Sequence, residues 1–334
     1  MKKPPFCTNP LCKNHESPKS EDWFAYRGFY FIQQRTRKIQ RFSCKLCGKS
    51  FSTRTFDLDY WTKKNISYRK LTAFLASSMS IRSLARNFNC SPATIGNRIS
   101  RLARQCIGVN AKLRPPIRLR ETLAADGFES FLVSQYFPNN FTILVGSESQ
   151  FVYALSYAQL RRKGRMTKHQ KIQAKRYKQL YPLPKNQILL SFVEITSRTG
   201  AMVLASDKDA FILATDEKQE YRRPIRELAG MLEEKGKTLV HLAVSSTKPR
   251  DRNNPLFPAN YMDREFRKDL AEHRRETVCF ARNTNCSMER MVVYLFYHNY
   301  VKPFRINPEP RVFPRRFTGP ACGECTETAV FLTR

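Results

Sequence analysis

Acidic residues are scarce in this chain. Its 334 residues carry 28 Asp and Glu against 59 Lys and Arg, a formal net charge of +31. So large an uncompensated charge points to a polyanionic partner, nucleic acid first. Long apolar runs are also missing. The opening MKKPPFCTNP has no apolar core of a signal peptide, and nothing downstream reads as a membrane span. No amphipathic basic helix suggests a membrane surface. There is no internal repeat, which excludes a solenoid. The expected location is cytoplasmic and nucleoid-associated. Core-forming material is plentiful, with 41% hydrophobic residues, 24 Phe and 14 Tyr, which excludes a chain disordered by composition.

Ten cysteines are present. Cys7-x4-Cys12 and Cys44-x2-Cys47, the latter in RFSCKLCGKSFS, supply two close pairs. Four thiolates on two knuckles suit one tetrahedral structural Zn²⁺, with Gly48 permitting the tight turn after the second pair. The intervening aromatics suit a small β-ribbon over residues 1–66 that depends on its metal. His15 is a spare ligand. Cys322-x2-Cys325 is a lone pair without a visible partner. Cys90, Cys106, Cys279 and Cys286 read as packing residues.

Residues 67–108 carry helical periodicity: Leu71, Phe74 and Leu75, then Ile81, Leu84, Ala85 and Phe88, then Ile95, Ile99 and Leu102. Ser80 and Ser91 are N-caps, and Pro92 takes the first helical position. Two helices across the short NCS turn read as a helix-turn-helix. The second turns Thr94, Asn97, Arg98 and Arg101 outward, a set able to touch bases and phosphates. IGVNAKLRPPIRLR, with Pro115-Pro116, reads as a linker over 109–121.

From residue 122 strand-like and helical patterns alternate, which predicts a mixed α/β domain over 122–306. ETLAADGFESFLVSQYF, FTILVGS and FVYALSYA read as three strands, with PNN as the turn between the first two. FILAT and TLVHLAVSS follow as further strands, and SMERMVVYLFYHNY as a helix. Between them lies a basic insertion near 161–185. Its first twenty residues hold nine Lys or Arg and no acid, including Arg161, Arg162, Lys163 and Arg165. Single-sign charge of this density suits phosphate contact, giving affinity rather than sequence reading. Residues 307–334 read as a Pro-rich tail.

Three acids sit beside apolar elements: Asp126 in LAADGFESF, Asp216 at the end of FILATD, and Glu289 in SMERMVVYLF. Converging in one core, three such carboxylates hold two Mg²⁺ (or Mn²⁺) ions for in-line phosphoryl displacement. Asp207 and Asp209 compete with Asp216, and Glu272 and Glu276 with Glu289. Arg282 and Asn285 are candidates for steering phosphate. His241 reads as a strand histidine; for His298, DNA contact and packing both stand.

The order of cysteine ribbon, helix-turn-helix and Asp…Asp…Glu resembles bacterial insertion-sequence transposases of the DDE class, over roughly residues 5–306. RFSCKLCGKSFS looks like their zinc-binding segment and TDEKQEY is similar to the motif around their second Asp. The stretch from NPLFPANYMDREF to YHNYVKPFRI looks like their C-terminal stretch. The resemblance implies an RNase H-like catalytic domain, with Asp126, Asp216 and Glu289 as metal ligands. It implies hydrolysis at the ends of a mobile element, then attack of the freed 3′-hydroxyl on target DNA. It also implies double-stranded DNA as partner and a dimer or larger assembly on it. Two other readings stand beside it: a catalytically inactive, sequence-specific DNA-binding regulator derived from such an enzyme, and a structure-selective nuclease.

Overall fold

The computed structural model describes residues 3–18, 20–32, 37–113 and 119–303. Pro115, Pro116, Cys322, Cys325 and the 307–334 tail lie outside the described residues. The chain divides into two compact units, 1–67 and 68–334.

In the first unit, β1 (Phe24–Ile32), β2 (Arg37–Cys44) and β3 (Ser50–Ser52) form an antiparallel sheet in that order. Its core is almost entirely aromatic and sulfur. Trp23, Phe24, Phe42 and Phe51 are buried with Cys7, Cys12 and Cys44. Trp23 stacks on Phe51 at 5.7 Å, and Phe24 meets Phe42 edge-on at 5.4 Å. So few buried side chains leave such a unit short of the burial a free-standing domain needs.

The second unit opens with three helices, α1 (Tyr68–Leu75), α2 (Ile81–Asn87) and α3 (Pro92–Leu113). Ser80 accepts the Ser83 N–H at 3.2 Å and Ser91 the Thr94 N–H at 3.1 Å, so each serine caps its helix. Helix α3 does not stop at 108. It continues to Leu113, into the stretch expected as linker, because Cys106 and Val109 carry its buried face onward.

A five-stranded mixed sheet follows: β4 (Leu123–Phe131), β5 (Pro138–Gly146), β6 (Val152–Gln159), β7 (Ala210–Asp216) and β8 (Thr238–Val244), in the order β6-β5-β4-β7-β8. The first three in sequence pair antiparallel, and β4, β7 and β8 run parallel. PNN is not the turn. Pro138, Asn139 and Asn140 open β5, paired with Phe131, Ser130 and Glu129. Proline is tolerated there because a strand's first residue can forgo its N–H.

Helix α4 (Lys168–Leu180) forms the basic excursion between β6 and α5 (Gln187–Leu204), and buries none of its residues. Helices α5 and α6 (Gln219–Glu233) pack together, α5 also against β5 and β6 and α6 against β8. Helix α7 (Phe257–Asp269) packs on β4 and β5. Helix α8 (Thr284–Tyr300) packs against α3 and α1, and it joins α7 and the sheet in one apolar core. Alternation along β5 explains the layers. Phe141, Ile143 and Val145 face the α7–α8 core, while Thr142 bonds Ser191 of α5 at 3.0 Å. Among the described residues no helix is long and apolar enough to cross a membrane.

Candidate functional site

Strands β4 and β7 run parallel, with Ala124 beside Ala214 and Ala125 beside Thr215. The next pair in step is Asp126 and Asp216. Both project to the α7 side, since Ala124 and Ala214, two residues earlier, share a buried cluster with Ala259 of α7. The two acids therefore meet where the parallel pairing of β4 and β7 ends, Asp216 at the carboxyl end of β7 and Asp126 as the fourth of the nine residues of β4. Open α/β sheets form ligand crevices at such points.

Helix α7 brings a third acid. Four residues of α-helix advance about 6 Å and two residues of strand about 6.7 Å, so the two keep pace. Ala259 packs with Ala124. One turn on, Asp263 lies in the charge field of Asp126. One turn further, Arg267 sits over the Phe128 ring at 4.8 Å, next to the Phe266–Phe128 contact at 5.3 Å. Asp263 Oδ1 is buried and has no hydrogen-bond partner. Burial raises its carboxyl to about 7, reinforced by Asp126 and opposed by Arg267, Arg250 and Lys218.

Lys218, in the turn between β7 and α6, closes the group. Its Nζ lies 3.0 Å from Asp216 Oδ2 and 3.5 Å from Asp126 Oδ1. The Gly127 N–H donates to Asp126 Oδ1 at 2.6 Å and the Lys218 N–H to Asp216 Oδ1 at 3.3 Å. Burial raises the Asp126 carboxyl; Lys218 opposes that and Asp216 reinforces it. Burial acts downward on Lys218, yet Tyr221, Asp126 and Asp216 together hold its ammonium above the ordinary range. Gly127 is needed for space, because a Cβ there would run into the Asn140 side chain.

Glu289, the expected third acid, does not join this group. It turns toward α3 and accepts the Ser100 hydroxyl at 2.6 Å. The residue after it, Arg290, points into the core and meets Glu272 at 2.6 Å, a pair only 8% and 3% exposed. The competing Asp209 pairs with Lys237 at 3.1 Å on the surface, and Asp207 is exposed. His241 is a strand residue bonded to Thr215 at 2.8 Å. His298 is fully buried with Nε2 3.1 Å from the Gln150 carbonyl, a packing role. Arg282 and Asn285 are exposed at the start of α8.

On α3, Asn97 is exposed and Arg101 half-buried. Thr94 is half-buried, its hydroxyl 3.0 Å from that of Ser91. Arg98 departs from expectation: it is 3% exposed and donates to the Tyr68 hydroxyl at 3.2 Å. It follows Ile95 by three residues and precedes Ile99, so the helix turns it inward. In the basic excursion Lys163 and Arg165 are exposed, and Arg161 donates to the Tyr181 carbonyl at 2.7 Å. Arg162 lies over the Tyr136 ring at 5.3 Å, with Nη1 buried and unpartnered.

The four cysteines of the first unit converge, with their sulfurs all within 4.8 Å of one another. Cys7 and Cys47 sulfurs are 3.5 Å apart and those of Cys12 and Cys44 3.8 Å. Sulfurs of a tetrahedral zinc site lie about 3.8 Å apart, from Zn–S bonds of about 2.3 Å. Burial pushes the Cys44 thiol up, but the Cys47 N–H, the Asn14 side-chain amide and the Leu46 N–H outweigh it and hold the thiol at about 6. Burial pushes Cys7 up to about 12. Gly48 takes φ +70° after the second pair. His15 is turned away from the sulfurs, its Nδ1 2.6 Å from the Cys7 carbonyl. Among the described residues this is the only set of three or more ligating side chains closed around one point; the carboxylate group of the second unit is more open.

Compared with known proteins, the chain matches no family model and no curated protein sequence.

Proposed function

We propose that the chain is a DNA transposase of the DDE class, cleaving at the ends of a mobile element and transferring the freed 3′-hydroxyl to target DNA. The observation that carries this reading is the placing of Asp126 of β4 and Asp216 of β7 side by side, both held by Lys218, with Asp263 of α7 in the charge field of Asp126. A buried carboxylate oxygen without a partner, on Asp263, is costly unless something cationic completes it. The sheet, three antiparallel strands joined to two parallel ones, is compatible with the RNase H-like fold that the resemblance implies.

Oxygen-only donors suit Mg²⁺ or Mn²⁺, and Asp126, Asp216 and Asp263 are the residues that would hold such ions. A bound pair of divalent ions supplies activation of an attacking oxygen and stabilisation of a leaving one. Asp263 replaces Glu289 as third acid in this reading. Arg250 and Arg267, close enough to Asp263 to act on its charge, line the approach of a phosphate. Asn97 and Arg101 of α3 contact DNA at the recognition end. The exposed basic residues of 161–185 hold its backbone. One Zn²⁺ on Cys7, Cys12, Cys44 and Cys47 holds the first unit together.

The test is a cleavage and joining assay on labelled DNA from both flanks of the chain's own gene, with Mg²⁺ or Mn²⁺. Nicking at a defined end together with joined product is expected, and both are lost in Asp126→Asn. Specific binding without metal-dependent cleavage would make the chain a regulator; cleavage that never yields joined product would make it a nuclease.

A further inference from the structure

The carboxylate crevice contains a cation of the chain's own. One ammonium, that of Lys218, spans both strand acids at 3.0 and 3.5 Å. It reaches them from the residue that caps α6, and both Asp216 oxygens are turned toward that one residue, Oδ1 to its N–H and Oδ2 to its Nζ. A divalent ion needs these same oxygens, at about 2.0–2.1 Å for Mg²⁺. Two cations cannot share them at such range, since their charges repel across a partly buried gap.

We infer that Lys218 is a resident counter-cation that competes with the divalent metal, so that loading the crevice expels its ammonium. The inference rests on the crevice being the metal site proposed above. The side chain has somewhere to go: it is 34% exposed and ends a flexible four-carbon stem. Nζ also lies 3.5 Å from the Tyr221 hydroxyl and 5.3 Å from its ring centroid, so Tyr221 flanks the displaced ammonium. Once expelled, the ammonium remains tethered at the mouth of the crevice, where a DNA phosphate is its natural partner. Lys218 thereby couples the two ligands. Metal frees the lysine for DNA, and by reciprocity DNA favours metal.

The experiment is Mn²⁺ binding followed by the electron paramagnetic resonance of free Mn²⁺, on the zinc-saturated full chain, with and without duplex DNA. Without DNA, Lys218→Met binds Mn²⁺ about tenfold more tightly than the unmodified chain, within the usual span of such couplings. Lys218→Arg, which keeps the charge, stays near the unmodified affinity. Asp216→Asn loses binding. Adding DNA tightens Mn²⁺ binding to the unmodified chain several-fold and leaves Lys218→Met unmoved. Equal or weaker Mn²⁺ binding by Lys218→Met, with Asp216→Asn still defective, overturns the competition while sparing the metal site. No Mn²⁺ binding by any form at millimolar concentration overturns the metal site and the competition together.

Discussion

In residues 1–67 four sulfurs already converge on a single point, inside a unit whose core is little more than four aromatic rings. In residues 68–303 three carboxylates are held by a sheet and a helix that bury a large apolar core, and a lysine stands between two of them. On the reading proposed above, the first arrangement depends on its ligand for shape. The second has its shape without one, and two of its acids are counter-charged by Lys218 in the meantime. On the same reading, a metal in the first unit is a structural element and one in the second a reagent. Removing each should therefore break different things.

The largest effect is expected in the first unit. Structural zinc contributes about 10–16 kcal/mol to small domains of this kind. Chelation, or Cys44→Ser, should unfold residues 1–67 and leave the second unit's thermal transition in place, as read by limited proteolysis and calorimetry. Loss of both transitions together would erase the distinction between the units. Next is Asp263→Asn. It should lower strand cleavage on the order of 10³-fold, about 4 kcal/mol of barrier, with no loss of melting temperature. Glu289→Gln should cleave normally and cost about 1 kcal/mol through the weakened Ser100 bond. The reverse ranking of these two variants would restore Glu289 as the third acid.

Charge buried for structure gives a purely thermodynamic effect of similar size. Arg290→Met strands the Glu272 carboxylate in the core and should cost about 3–5 kcal/mol in urea unfolding, whereas Arg223→Met, which faces Glu227 on the surface, should change little. Smaller per step is the pH response of His273. Burial, with Arg290 and Arg267 nearby, lowers its pKa from 6.5 to about 3. The unfolded chain takes up that proton first, so stability is full above about 6.5 and falls as pH drops toward 3, by about 1.4 kcal/mol per unit. Urea midpoints at pH 7 and pH 5 should differ less in His273→Gln than in the unmodified chain. Equal differences would assign the acid sensitivity to other groups.

Much of this organisation was legible in the sequence. The apolar runs located the strands, and Asp126 and Asp216 stood out because each interrupts or ends one. The cysteine spacings marked a closed set because those ligands come in local pairs. Asp263 was hidden for the opposite reason. It lies in MDREFRKD, where charges of both signs read as a solvated helix, and its partner is a strand far away in sequence. The matching advance of α7 and β4 that joins them is tertiary information. Glu289 reads from the sequence as an inward acid among apolar helical positions; that α3 covers its face and supplies Ser100 is tertiary information. Arg98 runs the other way: its charge suggested solvent, but its place between Ile95 and Ile99 and its Tyr68 partner set it inside.

Helix α3 is a lever. Its 22 residues make a rod about 33 Å long. The helix is rooted on α8 by Ser100, whose hydroxyl donates to Glu289, and by Asn110, which accepts the Tyr300 hydroxyl at 2.8 Å; Asn97 and Arg101 flank the first of these roots. On the reading proposed above, DNA held by Asn97 and Arg101 is therefore presented at an azimuth set by the root. Each inserted residue would rotate the grip by about 100°, and a pair of side chains on α8 acts as the keyway that fixes the heading.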